Sequence, residues 1–205
     1  RIRTVAAKRG ITIERVTERR VTAIARSSRH HQGVVADVIA PAMAPLSSFL
    51  ERRRGGREWA TTVLLLDTIH NPANVGMVLR TAVAAGIDGI IVPTRGTADI
   101  GPIAIKASAG VAFRAPVLRA DTSVEAVAAL RDARFAVVGL DLGGGDLYEA
   151  ELPDRVCFVM GNESSGLSVK PDYSLSIPLV GGVESLNVAT AAAVLCFELV
   201  RRSRD

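Results

Sequence analysis

The sequence predicts an α/β fold, a parallel sheet covered by helices on both faces, with a small mixed α/β unit in front of it. Two observations carry this. From residue 59 onward, short continuous apolar runs alternate with segments of helical spacing, the pattern of strands buried on both faces and joined by crossover helices. Charge also divides the chain: residues 1–58 hold 13 Lys/Arg against 5 Asp/Glu, a net of +8, while residues 59–205 hold 12 against 16, a net of −4.

In the N-terminal part, residues 11–16 alternate apolar and polar like a half-buried strand, and Thr17 is placed to cap a short helix running to Arg26. Residues 33–39 read as a second strand, after which Pro41 and Pro45 break the pattern. The basic stretch 52–57, with two glycines among four arginines, is the boundary candidate. The expected division is a small domain at 1–45, a linker at 46–58 and the main domain at 59–205. The small domain is expected to be incomplete at its start, since the chain opens on Arg1.

In the main domain, residues 63–66 form a buried strand ending at Asp67. Residues 74–85 have helical spacing and stop at Gly86. Residues 89–93 are the next strand, 123–131 an amphipathic helix, and 135–140 and 155–160 further strands. Residues 187–202 are an apolar closing helix, with Arg201 and Arg202 in its last turn. The glycine-rich run 139–146 superficially resembles the cofactor loop of Rossmann-type methyltransferases. Leu147 stands where that pattern needs another glycine, and only about 60 residues follow, too few for a full doubly wound sheet. Residues 141–150 therefore read as a loop.

Composition narrows the function classes. With 48% hydrophobic and 22% charged residues, the chain suits a folded globular protein. No apolar run approaches the roughly 18 residues of a membrane helix. Cys157 and Cys196 sit in apolar surroundings and read as core residues rather than a disulfide or a metal site. The basic N-terminal part is rich in Arg, whose planar fork suits phosphate. One Trp, two Tyr and five Phe leave little for base stacking, so nucleic-acid recognition would rest on shape and backbone. Trp59 reads as packing; His30 and His31 are candidates to touch RNA.

Ligands of such sheets sit beyond the carboxyl ends of the strands, and three polar segments lie there. The first, Asn71-Pro-Ala-Asn-Val-Gly76 with Arg80 further along, follows the strand ending at Asp67. The second, Gly161-Asn-Glu-Ser-Ser-Gly166, follows the strand ending at Met160. The third, from Ile177 to Asn187, is glycine-rich and opens the closing helix. Taken singly, Asn71 or Asn74, Ser185 and Asn187 can be helix caps, the glycines can serve turns, and Arg80 and Glu163 can be surface charges. Gathered at one sheet edge, they point to a site.

Together, and in this order, the three segments resemble the motifs of the SpoU/TrmH family, RNA ribose 2′-O-methyltransferases of the SPOUT superfamily, over residues 63–202. Residues 30–36 are similar to the segment closing the small RNA-binding domain of ribosomal-RNA members. The resemblance implies a SPOUT-type parallel sheet with a C-terminal trefoil knot, a homodimer, a cytoplasmic location, and neither metal nor membrane. It implies S-adenosylmethionine as cofactor, held by Gly161, Ile177 and Leu186 through backbone groups, with a wall near Leu140. It places Arg80 as the catalytic arginine and Asn74, Glu163, Ser185 and Asn187 as polar site residues. Leu179, Ala189 and the pair Ser164-Ser165 depart from the family pattern without removing any of these groups.

The implied substrate is RNA, 23S ribosomal RNA in view of the added small domain. A transfer-RNA enzyme, or an inactive RNA-binding protein of the same fold, is the alternative. Such a reaction asks the protein to align a hydroxyl oxygen, a methyl group and a sulfur, and to help the hydroxyl lose its proton. Arg80 would serve either as base with help from an RNA phosphate or as a clamp on that phosphate. The net charge of +8 in the N-terminal part would make RNA affinity fall with added salt.

Overall fold

The computed structural model describes residues 2–25, 31, 33–36, 43–54, 60–162 and 165–204. Contacts divide the chain into two units, Arg1–Ile39 and Ala40–Asp205.

The first unit contains helices α1 (Ile2–Lys8) and α2 (Glu18–Ala25). Thr17 precedes α2, and its carbonyl accepts from the Val21 amide at 3.1 Å. The strand expected at 11–16 is absent: these residues have no regular structure, and Ile11, Ile13 and Val16 are exposed. Alternation makes a strand only where a neighbouring strand takes the backbone hydrogen bonds, and no described residue of this unit does so. The described part of the second expected strand, 33–36, is a turn residue followed by irregular chain; residues 37–39 and His30 lie outside the described residues.

The second unit runs β1 (Ala44–Pro45), α3 (Leu46–Arg54), β2 (Thr61–Leu66), α4 (Pro72–Ala84), β3 (Gly89–Ile91), α5 (Pro102–Ala107), β4 (Val117–Arg119), α6 (Ser123–Asp132), β5 (Ala136–Asp146), β6 (Arg155–Met160), β7 (Tyr173–Ser176) and α7 (Val188–Arg202). A 3-10 turn, Val111–Phe113, lies before β4. All strand pairs are parallel, in the order β1-β4-β3-β2-β6-β5-β7.

Alternate residues of each strand face opposite sides, and both sides are covered. Leu64 and Leu66 pack with Val75, Val78 and Leu79 of α4 and with Leu195 of α7. Val63 and Leu65 pack with Phe49 and Leu50 of α3 and with Val127 and Leu130 of α6. This is the two-sided burial that the unbroken apolar strands predict.

Helix α4 ends as its sequence foretells. Gly86 takes a φ of 74°; its amide donates to Val83 and that of Ile87 to Ala82, the paired bonds of a Schellman cap. The chain differs from expectation at two places. Most of the stretch expected as a linker is helix α3, which buries Leu46, Phe49 and Leu50 against the sheet. Arg53 of the basic run binds Thr61 Oγ1 at 2.9 Å and Asp88 Oδ1 at 3.0 Å and lies over the Phe49 ring, so its charge serves the fold. Second, the expected loop at 141–150 is strand as far as Asp146. A register shift between Leu140 and Gly145 lets β5 resume pairing with β7. A bulge of this kind keeps glycine-rich residues in a sheet.

Candidate functional site

Three chain segments meet beyond the carboxyl ends of β2, β6 and β7. The first begins at Asp67. Its carboxylate, wholly buried, accepts two hydrogen bonds from Ser168, from the amide at 2.5 Å and the hydroxyl at 2.6 Å. Thr68 follows with a φ of 53°, costly for a β-branched residue. Its carbonyl accepts from Asn162 Nδ2 at 3.2 Å, and its buried hydroxyl finds no partner among the described residues.

Asn71 caps α4, its Oδ1 accepting from the Ala73 amide at 2.9 Å, and Pro72 takes the first helical position. Asn74, the other capping candidate, is buried in the first turn and accepts from Asn187 Nδ2 at 3.3 Å. Asn187 also caps α7 through its Oδ1, which accepts from Ala189 at 2.9 Å. One side chain thus orients the closing helix and ties it to α4.

The second segment turns back on itself at Gly161. Asn162 and Gly166 form an antiparallel bridge, and a Cβ on Gly161 would stand 2.6 Å from the Gly166 carbonyl oxygen and 2.8 Å from Leu167 Cδ2. Only glycine fits there. The third segment runs from Ile177 to Leu186 and returns beside the second.

These segments enclose a cleft lined by Leu140, Asp141, Met160, Gly161, Ile177, Ser185 and Leu186, among others. The sequence-predicted Gly161, Ile177, Leu186 and Ser185, and the wall at Leu140, therefore come together. Arg80 does not line the cleft. It is exposed on α4, about 9 Å along the helix axis from Asn74 at the usual rise per residue. Glu163 lies outside the described residues. Asn74 and Asn187 form the link between the cleft's closing helix and the helix that carries Arg80.

The walls are apolar, and the polar groups are backbone atoms, Asn162, Ser185 and Asp141. Such a donor set suits a ligand with a flat apolar part and polar ends. Among the described residues no group of His, Cys, Asp or Glu is arranged to hold a metal ion, and no helix is long and apolar enough to cross a membrane. Cys157 and Cys196 are buried; burial pushes the Cys196 thiol up to about 12 and that of Cys157 higher still. Neither is a nucleophile at neutral pH.

Sequence reasoning missed the Asp67–Ser168 pair and Asp141. An acidic residue directly after an apolar strand is a signal for the first. The second was hidden in a stretch read as loop.

The sequence pattern of the SpoU rRNA methylase family matches residues 61–197. The pattern described as RNA 2′-O ribose methyltransferase substrate binding matches residues 1–44. A Staphylococcus aureus protein assigned to the TrmH family of tRNA/rRNA methyltransferases is 34% identical over 180 residues, covering 85% of this chain and 72% of that protein. The S-adenosylmethionine-bound rRNA methyltransferase structure from Sinorhizobium meliloti is 29% identical with a TM-score of 0.74, over 98% of this chain and 77% of that one. The SpoU methyltransferase AviRb from Streptomyces viridochromogenes, in complex with the same cofactor, is 31% identical with a TM-score of 0.65; the match covers 75% of this chain and 64% of AviRb, just under two thirds.

Proposed function

The chain belongs to the SpoU rRNA methylase family of RNA methyltransferases, and on that premise we propose that it transfers a methyl group from S-adenosylmethionine to a ribose 2′-hydroxyl of RNA, with 23S ribosomal RNA as substrate. One observation carries the reading. Gly161, Ile177 and the Ser185–Leu186 pair, separate in sequence, line one cleft beyond the strand ends, and Asn187 joins that cleft to the helix bearing Arg80 through Asn74. Two solved neighbours with this fold hold S-adenosylmethionine.

S-adenosylmethionine, when bound, supplies an already activated methyl group. The chain's task is positioning and removal of a proton. Gly161, Ile177 and Leu186 would hold the cofactor through main-chain groups between apolar walls. Arg80, exposed and with no side-chain hydrogen bond or ion pair among the described residues, is available to an RNA strand. A guanidinium is a poor base and a strong phosphate ligand. Arg80 therefore acts as a bidentate clamp on the phosphate beside the target ribose and stabilises the developing alkoxide. Asn74, Ser185 and Asn187 hold the helices and the ribose by hydrogen bonds, and Glu163 orients Arg80 or its loop.

The same reading makes the molecule a cytoplasmic homodimer with a C-terminal trefoil knot. Met77 on α4 and Phe197 on α7 are exposed apolar residues on helices packed together, and exposed apolar surface of this kind supports a partner subunit. The bonds of Asn162 and Ser168 to the 67–68 turn support a tightly drawn C-terminal path. Residues 1–45, with their basic excess, would be the domain that selects ribosomal RNA.

The test is incubation with S-adenosylmethionine and separate 23S and transfer-RNA transcripts, followed by mass spectrometry of the nucleosides. A 2′-O-methylnucleoside from the 23S transcript alone supports the proposal. A base-methylated nucleoside contradicts the ribose target, modification of transfer RNA alone contradicts the substrate, and no product from either contradicts the activity.

A further inference from the structure

Asp141 is the only ionisable side chain among the described residues that line the cleft. It sits at the start of the register shift in β5, between Leu140 and Gly145, both of which lie opposite Leu175 of β7. One carboxylate oxygen, Oδ1, accepts from the Leu142 amide at 2.8 Å, which fixes the side chain; the other makes no hydrogen bond among the described residues. The remaining lining is apolar or uncharged, so this carboxylate is the one charged group that the described lining offers a ligand.

We infer that Asp141 makes the cleft discriminate the cationic methyl donor from its uncharged product. The inference rests on the cofactor reading above. In the transfer, the bond from sulfur to the methyl carbon breaks, the bond from ribose oxygen to that carbon forms, sulfur keeps the electron pair, and the hydroxyl proton passes to solvent water. The sulfonium becomes a thioether, and the bound ligand falls from a net charge of +1 to zero. A carboxylate at the rim attracts the donor and loses that attraction when the methyl has gone. It thereby favours exchange of spent S-adenosylhomocysteine for fresh S-adenosylmethionine. The site is open to solvent and screened, so the effect is modest, roughly two- to fivefold for a partly exposed pair.

Calorimetric titration of the full chain with S-adenosylmethionine and S-adenosylhomocysteine tests this, using the unaltered protein, Asp141→Asn and Asp141→Glu. Asp141→Asn should weaken S-adenosylmethionine by about two- to fivefold and leave S-adenosylhomocysteine unchanged; Asp141→Glu should keep the preference. Sinefungin, which carries an amine in place of the sulfonium, should follow the donor. Added salt should compress the preference of the unaltered protein toward that of Asp141→Asn. Equal weakening of both ligands would overturn the inference, because it would make Asp141 a hydrogen-bond acceptor for groups the two ligands share. No change with either ligand would overturn it as well. If the unaltered protein bound neither ligand, the cofactor reading itself would fall, an outcome distinct from a lost preference.

Discussion

Asn187 Nδ2 donates to Asn74 Oδ1 across 113 residues of sequence, at 3.3 Å, while Asn187 Oδ1 caps α7. The side chain does two jobs, and they can be separated. Asn187→Ala removes the cap, worth about 1 kcal/mol, together with the bond to Asn74. A double-mutant cycle with Asn74→Ala, measured by urea unfolding, should give a coupling of about 0.5–1.5 kcal/mol. Strict additivity would mean that the pair contributes nothing.

Gly161→Ala would drive a Cβ to 2.6 Å from the Gly166 carbonyl, so the loop at 161–166 must move. We expect affinity for S-adenosylhomocysteine to fall at least about tenfold, while the cost in stability stays within about 1–3 kcal/mol. Calorimetry beside a thermal melt checks this. A folded variant with unchanged affinity would show that the loop does not shape the cofactor cleft.

Arg80 is exposed and outside the cleft lining, so its loss should spare both fold and cofactor binding. Arg80→Ala should lower single-turnover methyl transfer by roughly 100-fold or more, the usual effect of deleting one transition-state donor. Arg80→Lys keeps the cation without the fork. It should recover little of the rate, and near-normal turnover would contradict the bidentate clamp.

Outside the cleft lining, Glu198 is almost fully buried and bound by Arg201 at 2.9 Å and Arg202 at 2.7 Å. Arg202 also donates to the carbonyls of Leu147 and Ala150, tying the end of α7 to the turn after β5. Hydrogen bonds from Arg201, then those from Arg202, outweigh the opposing effect of burial and hold the Glu198 carboxyl down at about 2. A folded value below the unfolded one means stabilisation that is complete above the ordinary carboxyl range and lost as pH falls toward 2. Glu198→Gln should flatten the dependence of stability on pH in that acid window, followed by urea unfolding. A slope unchanged from the unaltered protein would contradict this.

The strands of the second unit were legible because burial on both faces leaves an unbroken apolar run, as in residues 63–66 and 155–160. Helix α4 was legible from its ends, where Asn71, Pro72 and Gly86 each meet a local geometric demand. Helix α3 was not: its apolar residues are few, and three consecutive arginines mask the face that Phe49 and Leu50 bury. The strand character of 141–146 was hidden because glycine carries no side-chain signal, and pairing with β7 decides it. Strand β7 itself has one buried residue, Leu175. Of the site, motif order placed Gly161, Ile177, Ser185 and Leu186 together. The Asp67–Ser168 bond, spanning 101 residues, depends on a chain path that local spacing does not encode.

A crystal structure of the full chain with S-adenosylhomocysteine tests the central claim most directly. The ligand should lie between the turns at Gly161, Ile177 and Leu186, its polar edges on main-chain groups and its sulfur turned toward the side of the cleft from which Arg80 is reached. Density for the ligand elsewhere, above all along the glycine run 143–145, would contradict the account.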